Sequence, residues 1–590
     1  MINELRWRFN MLGLILVGFG LLIVVQSARL QFGPRAQLFR DLGASYEFVD
    51  ITLQPPRGQI YDRFGNLLAG NATVFEVGVE LRDVRDPDAI ALALAGVLDL
   101  EYTQVLGLVS QEYIAGQRVY VTLAQGVLPD KVAVIQDYMA RADESGDDSM
   151  RDLNGLVFSP SLQRSYPERD LASNILGFVG KNDAGTPVGY FGIEQFYDEL
   201  LAGLPQVVKV ANDPNLVGQL PTVPPGASLI LTINREIQAM VEHQLDQAVE
   251  FYGAKSGTVV VMNPETGEIL AIGTTPRLDL NEYWRYSEVF PQTADEKVPF
   301  NRAVSQSYEP GSVFKVITMA AALDAGVVKP NTTFFDTGVF QVGGITIRNW
   351  DSAAWGSQDM LGCLQHSLNV CLAWIGSQLE AGRFYDYLDA FGFGHRTGVD
   401  LAGEATGRLK SPGDGDWYPA DLGTNTFGQG IAVTPIQMMM AVSALANDGE
   451  MVVPHLVKSM IDGDNQYNFH VQVAGNPISA ETAHTLTDML AVSLESEASV
   501  ALVPGYRVAG KTGTGEIPTE FGYTRAITNA SFVGWGPVDN PQFLVYVWLE
   551  EPTASIWGSQ TAAPLFSEIV QRLVVLMNIP PDSVRAGLAP

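Results

Sequence analysis

A chain of 590 residues with 66 acidic against 36 basic side chains carries a formal net charge of −30. That balance excludes a phosphate-neutralising surface, so no nucleic-acid partner is expected. Hydrophobic residues at 46% and charged residues at 17% exclude a disordered chain, and the length calls for two or more domains.

Residues 1–8 read as a cytoplasmic stub. From Phe9 to Ala28 no charged residue occurs. Twenty such residues at 1.5 Å each cover a bilayer core of about 30 Å. The run is long for a cleaved signal peptide, and Gln26-Ser-Ala-Arg-Leu30 lacks a small-x-small cleavage pattern. An uncleaved signal anchor over residues 9–28 is therefore expected. Arg6 and Arg8 precede it while Arg29, Arg35 and Arg40 follow, so the positive-inside rule does not orient it. The short stub and large C-terminal body favour a body outside the cytoplasm. No later run is comparably apolar, which makes the chain single-pass.

Residues 29–226 read as a mixed second region. Arg29 to Tyr46 fits a helical stalk. Gln54-Pro-Pro-Arg-Gly-Gln-Ile-Tyr-Asp-Arg-Phe-Gly-Asn-Leu-Leu-Ala69 fits a strand, a tight turn and a strand. A helix over Ala89–Leu98, a strand over Val119–Leu123 and a polar loop over Ala142–Ser149 follow. Proline density rises across Asp213–Gly226, where a domain boundary is placed.

In residues 227–580, Leu229–Ile233 reads as a strand and Arg235–Val249 as an amphipathic helix. Thr258–Met262 and Glu268–Gly273 flank the turn Asn263-Pro-Glu-Thr-Gly267, a hairpin signal. Ser531–Trp535 and Phe543–Leu549 form a further strand pair. Strands at both ends of a helical middle predict an α+β fold, an antiparallel sheet flanked by helices. Residues 581–590 are a C-terminal tail.

Two cysteines, Cys363 and Cys371, are too few for a disulfide scaffold. On one continuous helix they would stand about 12 Å apart, beyond bridging distance; a break between them reopens the possibility. Neither has neighbours suited to zinc, and the six histidines form no HExxH pattern. No metal and no cofactor are expected.

Three short motifs carry chemistry. Ser312-Val-Phe-Lys315 opens a run to Ala325 that reads as a helix after Pro310-Gly311. Its hydroxyl and amine, three residues apart, share one helix face. The surrounding residues are apolar, so Lys315 is expected to be desolvated and to act as a base. A helix start also presents backbone N–H groups to developing negative charge. Ser367-Leu-Asn369 means little alone. Lys511-Thr-Gly-Thr514 sits among glycines, as at a strand edge that a ligand approaches closely. Gly505 to Thr512 also satisfies the phosphate-loop pattern GxxxxGK[ST]. That rival needs a strand before and a helix after, and Pro504, Gly513, Gly515 and Pro518 argue against both.

The order SxxK, SxN, KTG resembles the penicillin-recognising serine enzymes. Further blocks resemble class B penicillin-binding proteins: Arg57 to Ala69, Arg164-Ser-Tyr-Pro167, Gly192-Ile-Glu194 with Tyr197 and Gly203, Tyr308 to Lys315, Phe427 to Pro435, Ala530-Ser-Phe-Val-Gly534 and Ala562-Ala-Pro-Leu-Phe566. The resemblance covers nearly the whole chain. It implies a non-catalytic pedestal (dimerisation-type) domain over 29–226 and a transpeptidase domain over 227–580. It also implies a D,D-transpeptidase that cross-links peptidoglycan stem peptides. Ser312 is then the nucleophile, Lys315 its base, and Ser367 and Asn369 the proton relay and amide holder. Lys511 and Thr512 bind the terminal carboxylate, Gly513 and Thr514 belong to the same substrate-binding motif, and the backbone N–H groups of Ser312 and Thr514 form the oxyanion hole. β-Lactams would acylate the same serine.

Leu368 departs from the small residue frequent at this place in the family, which leaves the motif intact and implies an altered cleft. A hydrolytic D,D-carboxypeptidase or β-lactamase is the nearest rival, but no Glu-x-x-Leu-Asn segment occurs. A non-catalytic β-lactam sensor or division scaffold would not need Ser312, Lys315 and Lys511. Phe391-Gly-Phe-Gly394, Thr397-Gly398 and Gly403-Glu404 resemble the cell-division branch, whereas Asn71 resembles the elongation branch; division is favoured. Either branch implies a SEDS-family (shape, elongation, division, sporulation) glycosyltransferase and other membrane proteins of the pathway as partners.

Overall fold

A computed structural model describes residues 2–32, 37, 48–117, 119–145, 152–211, 221–293, 297–519 and 522–588. The chain divides into two compact units, Met1–Pro56 with Gly203–Gly226, and Arg57–Ala202 with Ala227–Pro590.

The first unit holds helix Ile2–Phe32 and a two-stranded antiparallel sheet in which Phe48–Leu53 pairs with Gln206–Ala211. Within the helix, Arg6–Phe32 is long and apolar enough to cross a membrane, and its large apolar side chains are exposed. The expected stalk falls mostly on residues 33–36 and 38–47, outside the described residues. Most of the proline-rich boundary segment, 212–220, also lies outside them.

The second unit contains two larger sheets. One runs in the order Asn465–Asn468, Val457–Asp462, Ser228–Leu231, Ile60–Tyr61, Leu67–Glu80, Tyr120–Val127, with Leu156–Ser165 also paired to Leu67–Glu80. Strands from before and after residue 203 thus share one hydrogen-bonded ladder. The expected turn between Tyr61 and Leu67 is built by Asp62. Its Oδ1 accepts from the N–H groups of Phe64 (2.9 Å) and Asn66 (2.8 Å), and Gly65 takes φ +87°. Helices Pro87–Leu98 and Tyr102–Val109 bury Ile90, Leu94, Val105 and Val109 against Val77 and Val79. Helix Pro129–Ser145 continues into the stretch Ala142–Ser149 expected to be a loop; its remaining residues lie outside the described set. Alanines at 140 and 142 and the absence of a breaker before Ser145 allow that extension.

The other sheet is antiparallel and five-stranded, ordered Ile269–Thr274, Ser256–Met262, Phe543–Glu550, Gly522–Gly536, Ala509–Thr519. Its inner strands read as continuous apolar runs because both faces are covered. Val259, Val261, Val545 and Val547 face helices Arg235–Tyr252 and Ala562–Leu576. The alternate residues Val260, Met262, Tyr546 and Trp548 belong to the larger core with helices Lys315–Asp324 and Pro435–Ser443. Fully burying each such side chain is worth about 1.5–3 kcal/mol. The sandwich therefore fixes the edge strand Ala509–Thr519 beside the helical layer.

The cysteines are bonded to each other, with Cα atoms 6.1 Å apart. No single helix carries them. Helix Met360–Gln365 ends, Ser367 takes φ +51°, and helix Asn369–Ala390 begins, so the break brings the two side chains together.

Candidate active site

Ser312 lies in a single 3-10 turn, Gly311–Phe314, and the α-helix proper starts at Lys315. The expected continuous helix from Ser312 is thus wound more tightly in its first turn. Gly311 (φ +58°) makes this possible: its N–H donates to the Gly428 carbonyl at 3.1 Å, and a Cβ on Gly428 would stand 2.3 Å from the Gly311 oxygen. Gly513 is equally constrained. A Cβ there would meet Ser531 Oγ at 2.3 Å and Val313 Cγ1 at 2.8 Å, so only glycine lets the edge strand lie against the Ser312 turn.

Lys315 is fully buried. Its Nζ donates to the Ser367 carbonyl (2.6 Å), Ser367 Oγ (3.0 Å) and Asn369 Oδ1 (2.7 Å). Ser367 Oγ in turn donates to Ser312 Oγ at 3.1 Å. Burial, with a smaller contribution from the Lys511 cation, holds the Lys315 amine well below the ordinary lysine value. Three donated bonds use all three N–H groups of an ammonium; on losing one proton the amine turns a lone pair to the Ser367 hydroxyl, the one hydroxyl in contact with it, and becomes a proton acceptor.

Lys511 is buried on the edge strand, its Nζ 3.3 Å from both the carbonyl and Oγ1 of Thr512. The phosphate-loop pattern is not a loop here: Ala509–Thr519 is extended and paired with Gly522–Gly536, Lys511 opposite Val533. Thr514 Oγ1 accepts from the Gly558 N–H at 3.1 Å. Among the described residues the strand is the last of its sheet, and such an edge can pair with an extended peptide.

A cleft of about 590 Å³ runs between that strand and the helical layer, lined by Ser312, Ser367, Asn369, Lys511, Thr512 and Thr514 together. Lys315 lies beneath its floor. The three motifs, far apart in sequence, therefore converge on one cavity.

A family model described as the penicillin binding protein transpeptidase domain matches residues 257–571, more than half of the chain. The chain belongs to the penicillin-binding protein transpeptidase family. A second model, the penicillin-binding protein dimerisation domain, matches residues 52–225, and the pair marks a class B member. Stage V sporulation protein D of Bacillus subtilis is 31% identical over 547 residues, 90% of this chain and 80% of that protein. Peptidoglycan D,D-transpeptidase FtsI of Escherichia coli is 27% identical over 599 residues, covering 99% and 94%. The crystal structure of penicillin binding protein 2X from Streptococcus thermophilus shares the fold, with a TM-score of 0.73 over 90% of this chain and 80% of that one at 23% identity.

The motifs do not reveal the cleft's outer wall. Val339–Val342 and Ile345–Arg348 form a hairpin whose last strand, with Asn349 and Trp350, lines the cavity. Its turn, Gly343-Gly344 with φ +56° and +85°, is a hairpin signal available in the sequence. Asn369 Nδ2 donates to the Arg348 carbonyl at 3.2 Å, tying this wall to the SxN motif. Trp350 meets Trp557 edge-on at 5.4 Å and donates to the His366 carbonyl at 3.1 Å. No local pattern marks these last contacts.

Proposed function

We propose that the chain is a serine-type peptidoglycan D,D-transpeptidase working through an acyl-enzyme. Its relatives include proteins named peptidoglycan D,D-transpeptidases. The observation that carries the reading is the hydrogen-bonded path from Ser312 through Ser367 to a desolvated Lys315. Ser312 Oγ attacks the carbonyl carbon of the penultimate D-Ala, and its proton passes by way of Ser367 to Lys315. Negative charge on the carbonyl oxygen is met by the backbone N–H groups of Ser312 and Thr514. The proton returns to the departing nitrogen, the peptide bond breaks, and the terminal D-Ala leaves. An amine of a second stem peptide then attacks the ester, forms the cross-link and regenerates Ser312. Asn369 holds the substrate amide, Lys511 and Thr512 receive the terminal carboxylate, and Gly513 and Thr514 complete the substrate-binding strand. A β-lactam follows the first half of this route.

The same reading takes 1–8 as a cytoplasmic stub, 9–28 as the anchor, 29–226 as the pedestal, 227–580 as the catalytic domain outside the cytoplasm and 581–590 as a tail. It assigns the protein to the division pathway beside a SEDS-family glycosyltransferase. Septal signal from a tagged copy supports that assignment, and sidewall-only signal removes it. The chemistry is tested with a fluorescent penicillin: covalent label on the wild type and none on Ser312→Ala is expected. Undiminished label on Ser312→Ala would sink the mechanism.

A further inference from the structure

Ser367 sits in a backbone position that its own residue type disfavours. Helix Met360–Gln365 closes with the paired bonds of a Schellman turn: Leu368 N–H to the Cys363 carbonyl (3.0 Å) and Ser367 N–H to the Leu364 carbonyl (3.2 Å). Such a turn places the residue after the cap in the left-handed region, where glycine is usual. Here that residue is Ser367, at φ +51°. A Cβ is disfavoured in this region, and position 367 itself holds neither the glycine nor the asparagine that would ease it.

The site nevertheless needs this conformation. The Ser367 carbonyl and hydroxyl both meet Lys315 Nζ, and the hydroxyl also reaches Ser312. Relaxing the backbone to a right-handed or extended form would swing both groups away together. A strained residue persists where its surroundings over-determine it.

The disulfide supplies that constraint. Cys363 contributes the carbonyl of the outer turn bond, and Cys371 lies in the first turns of helix Asn369–Ala390. Both cysteines and Leu368 are fully buried. The bond therefore closes around the turn and fixes where the second helix starts relative to the first. A short closed loop restricts an unfolded chain less than a long one. The bond's influence is accordingly concentrated on local geometry.

We propose that the Cys363–Cys371 disulfide is a positioning device of the active site, holding Ser367 left-handed between Ser312 and Lys315. Cys363 and Cys371 act only through Ser367. The proposal rests on the acyl-serine reading above. Neither cysteine belongs to the three motifs, and their partnership is invisible without the helix break.

The test uses the full chain in detergent and two double variants. Cys363→Ala/Cys371→Ala removes the bond, and Cys363→Val/Cys371→Ala removes it while refilling part of the space. Fluorescent-penicillin labelling at several concentrations separates reversible binding from the acylation rate, and thermal unfolding shows whether each variant is folded. Acylation is expected to slow by roughly 10- to 100-fold, the scale of a misplaced catalytic group. Reversible binding should change by less than about threefold, because the carboxylate side lies across the cleft on the edge strand. Folded variants that acylate at the wild-type rate overturn the proposal. So does an equal loss of binding and rate, which marks general disorder of the cleft. If both variants unfold, the bond serves the fold and the proposal falls. A wild-type chain that takes no label defeats the acyl-serine reading itself, a separate result.

Discussion

Glu194 and Lys315 are both fully buried ionisable side chains, and the protein treats them in opposite ways. Glu194 receives Arg57 Nε at 2.7 Å and Arg164 Nε at 2.6 Å, with the Tyr166 hydroxyl at 3.3 Å. Arg57 also reaches Asp198 at 2.7 Å. Lys315 touches only neutral oxygens, and the charge that acts on it, Lys511, has the same sign. A charge compensated from two sides is a structural knot. One left without a counterion is pushed towards neutrality, which makes it reactive.

The largest effect should come from Lys315→Met. Acylation is expected to fall by roughly 10²–10⁴-fold, the usual worth of a positioned base. Stability should hold, and rise on the acid side where Lys315 is protonated, since the apolar side chain there removes the cost of desolvating a buried ammonium. Stopped-flow labelling and a melting curve on the same sample check both halves; a steep loss of melting temperature would erase the contrast with Glu194. At the other pole, Glu194→Ala strips the buried Arg164 of the carboxylate it pairs with and leaves Arg57 with Asp198. A loss of about 3–5 kcal/mol in denaturant unfolding is expected. A value near zero would mean that the knot holds nothing together.

A pH series sharpens the same contrast. The folded value for Lys315 is depressed from 10.5. Between that depressed value and 10.5 the unfolded chain binds a proton that the folded chain does not, so this group's contribution to stability rises with pH across the window. Lys315→Met lacks the slope. Its melting temperature should exceed that of the wild type most at acid pH, and the gap should narrow towards pH 10.5. Acylation by the wild type should fail on the acid side as Lys315 takes up its proton. A gap independent of pH would show that Lys315 is not desolvated in solution.

Both poles were partly legible from sequence, for different reasons. The apolar run around Lys315 points to its burial, and the Asn263–Gly267 turn between two continuous apolar runs points to the central strands. Arg57, Arg164 and Glu194 lie in three separate blocks, and nothing local says that they meet. The disulfide was hidden for a sharper reason. A left-handed helix end normally shows itself by glycine, and Ser367 fills that place because a hydroxyl is needed there. The three motifs do not point to the cleft wall Ile345–Trp350, although Gly343-Gly344 marks its turn. The contact between Trp350 and Trp557 follows only from the folded sheet.

Asp400 tests whether burial among neutral hydrogen-bond partners is enough to make an ionisable group reactive. Its carboxylate is 8% exposed and accepts from the N–H groups of Leu456 (2.7 Å) and Val457 (2.8 Å) and from the Tyr197 hydroxyl (3.0 Å). Burial raises its pKa, and the Leu456 and Val457 N–H groups, the Tyr197 hydroxyl and nearby His455 oppose that rise. Like Lys315 it is held by neutral partners, yet it is absent from the cleft lining and joins segments on both sides of residue 203. Reactivity thus needs a path to the cleft as well as desolvation. Tyr197→Phe should cost about 1–2 kcal/mol at neutral pH, the scale of one hydrogen bond to a charged group, without slowing acylation. The sign with pH is fixed by the raised value: the folded chain already holds its extra proton near pH 3.8, and stability drains as pH rises through the folded pKa. Removing the hydroxyl raises that pKa further and deepens the drain. The variant's deficit should therefore be smallest in acid and grow towards neutrality. A deficit of the opposite slope, or a loss of acylation, would place Asp400 with Lys315 instead of with Glu194.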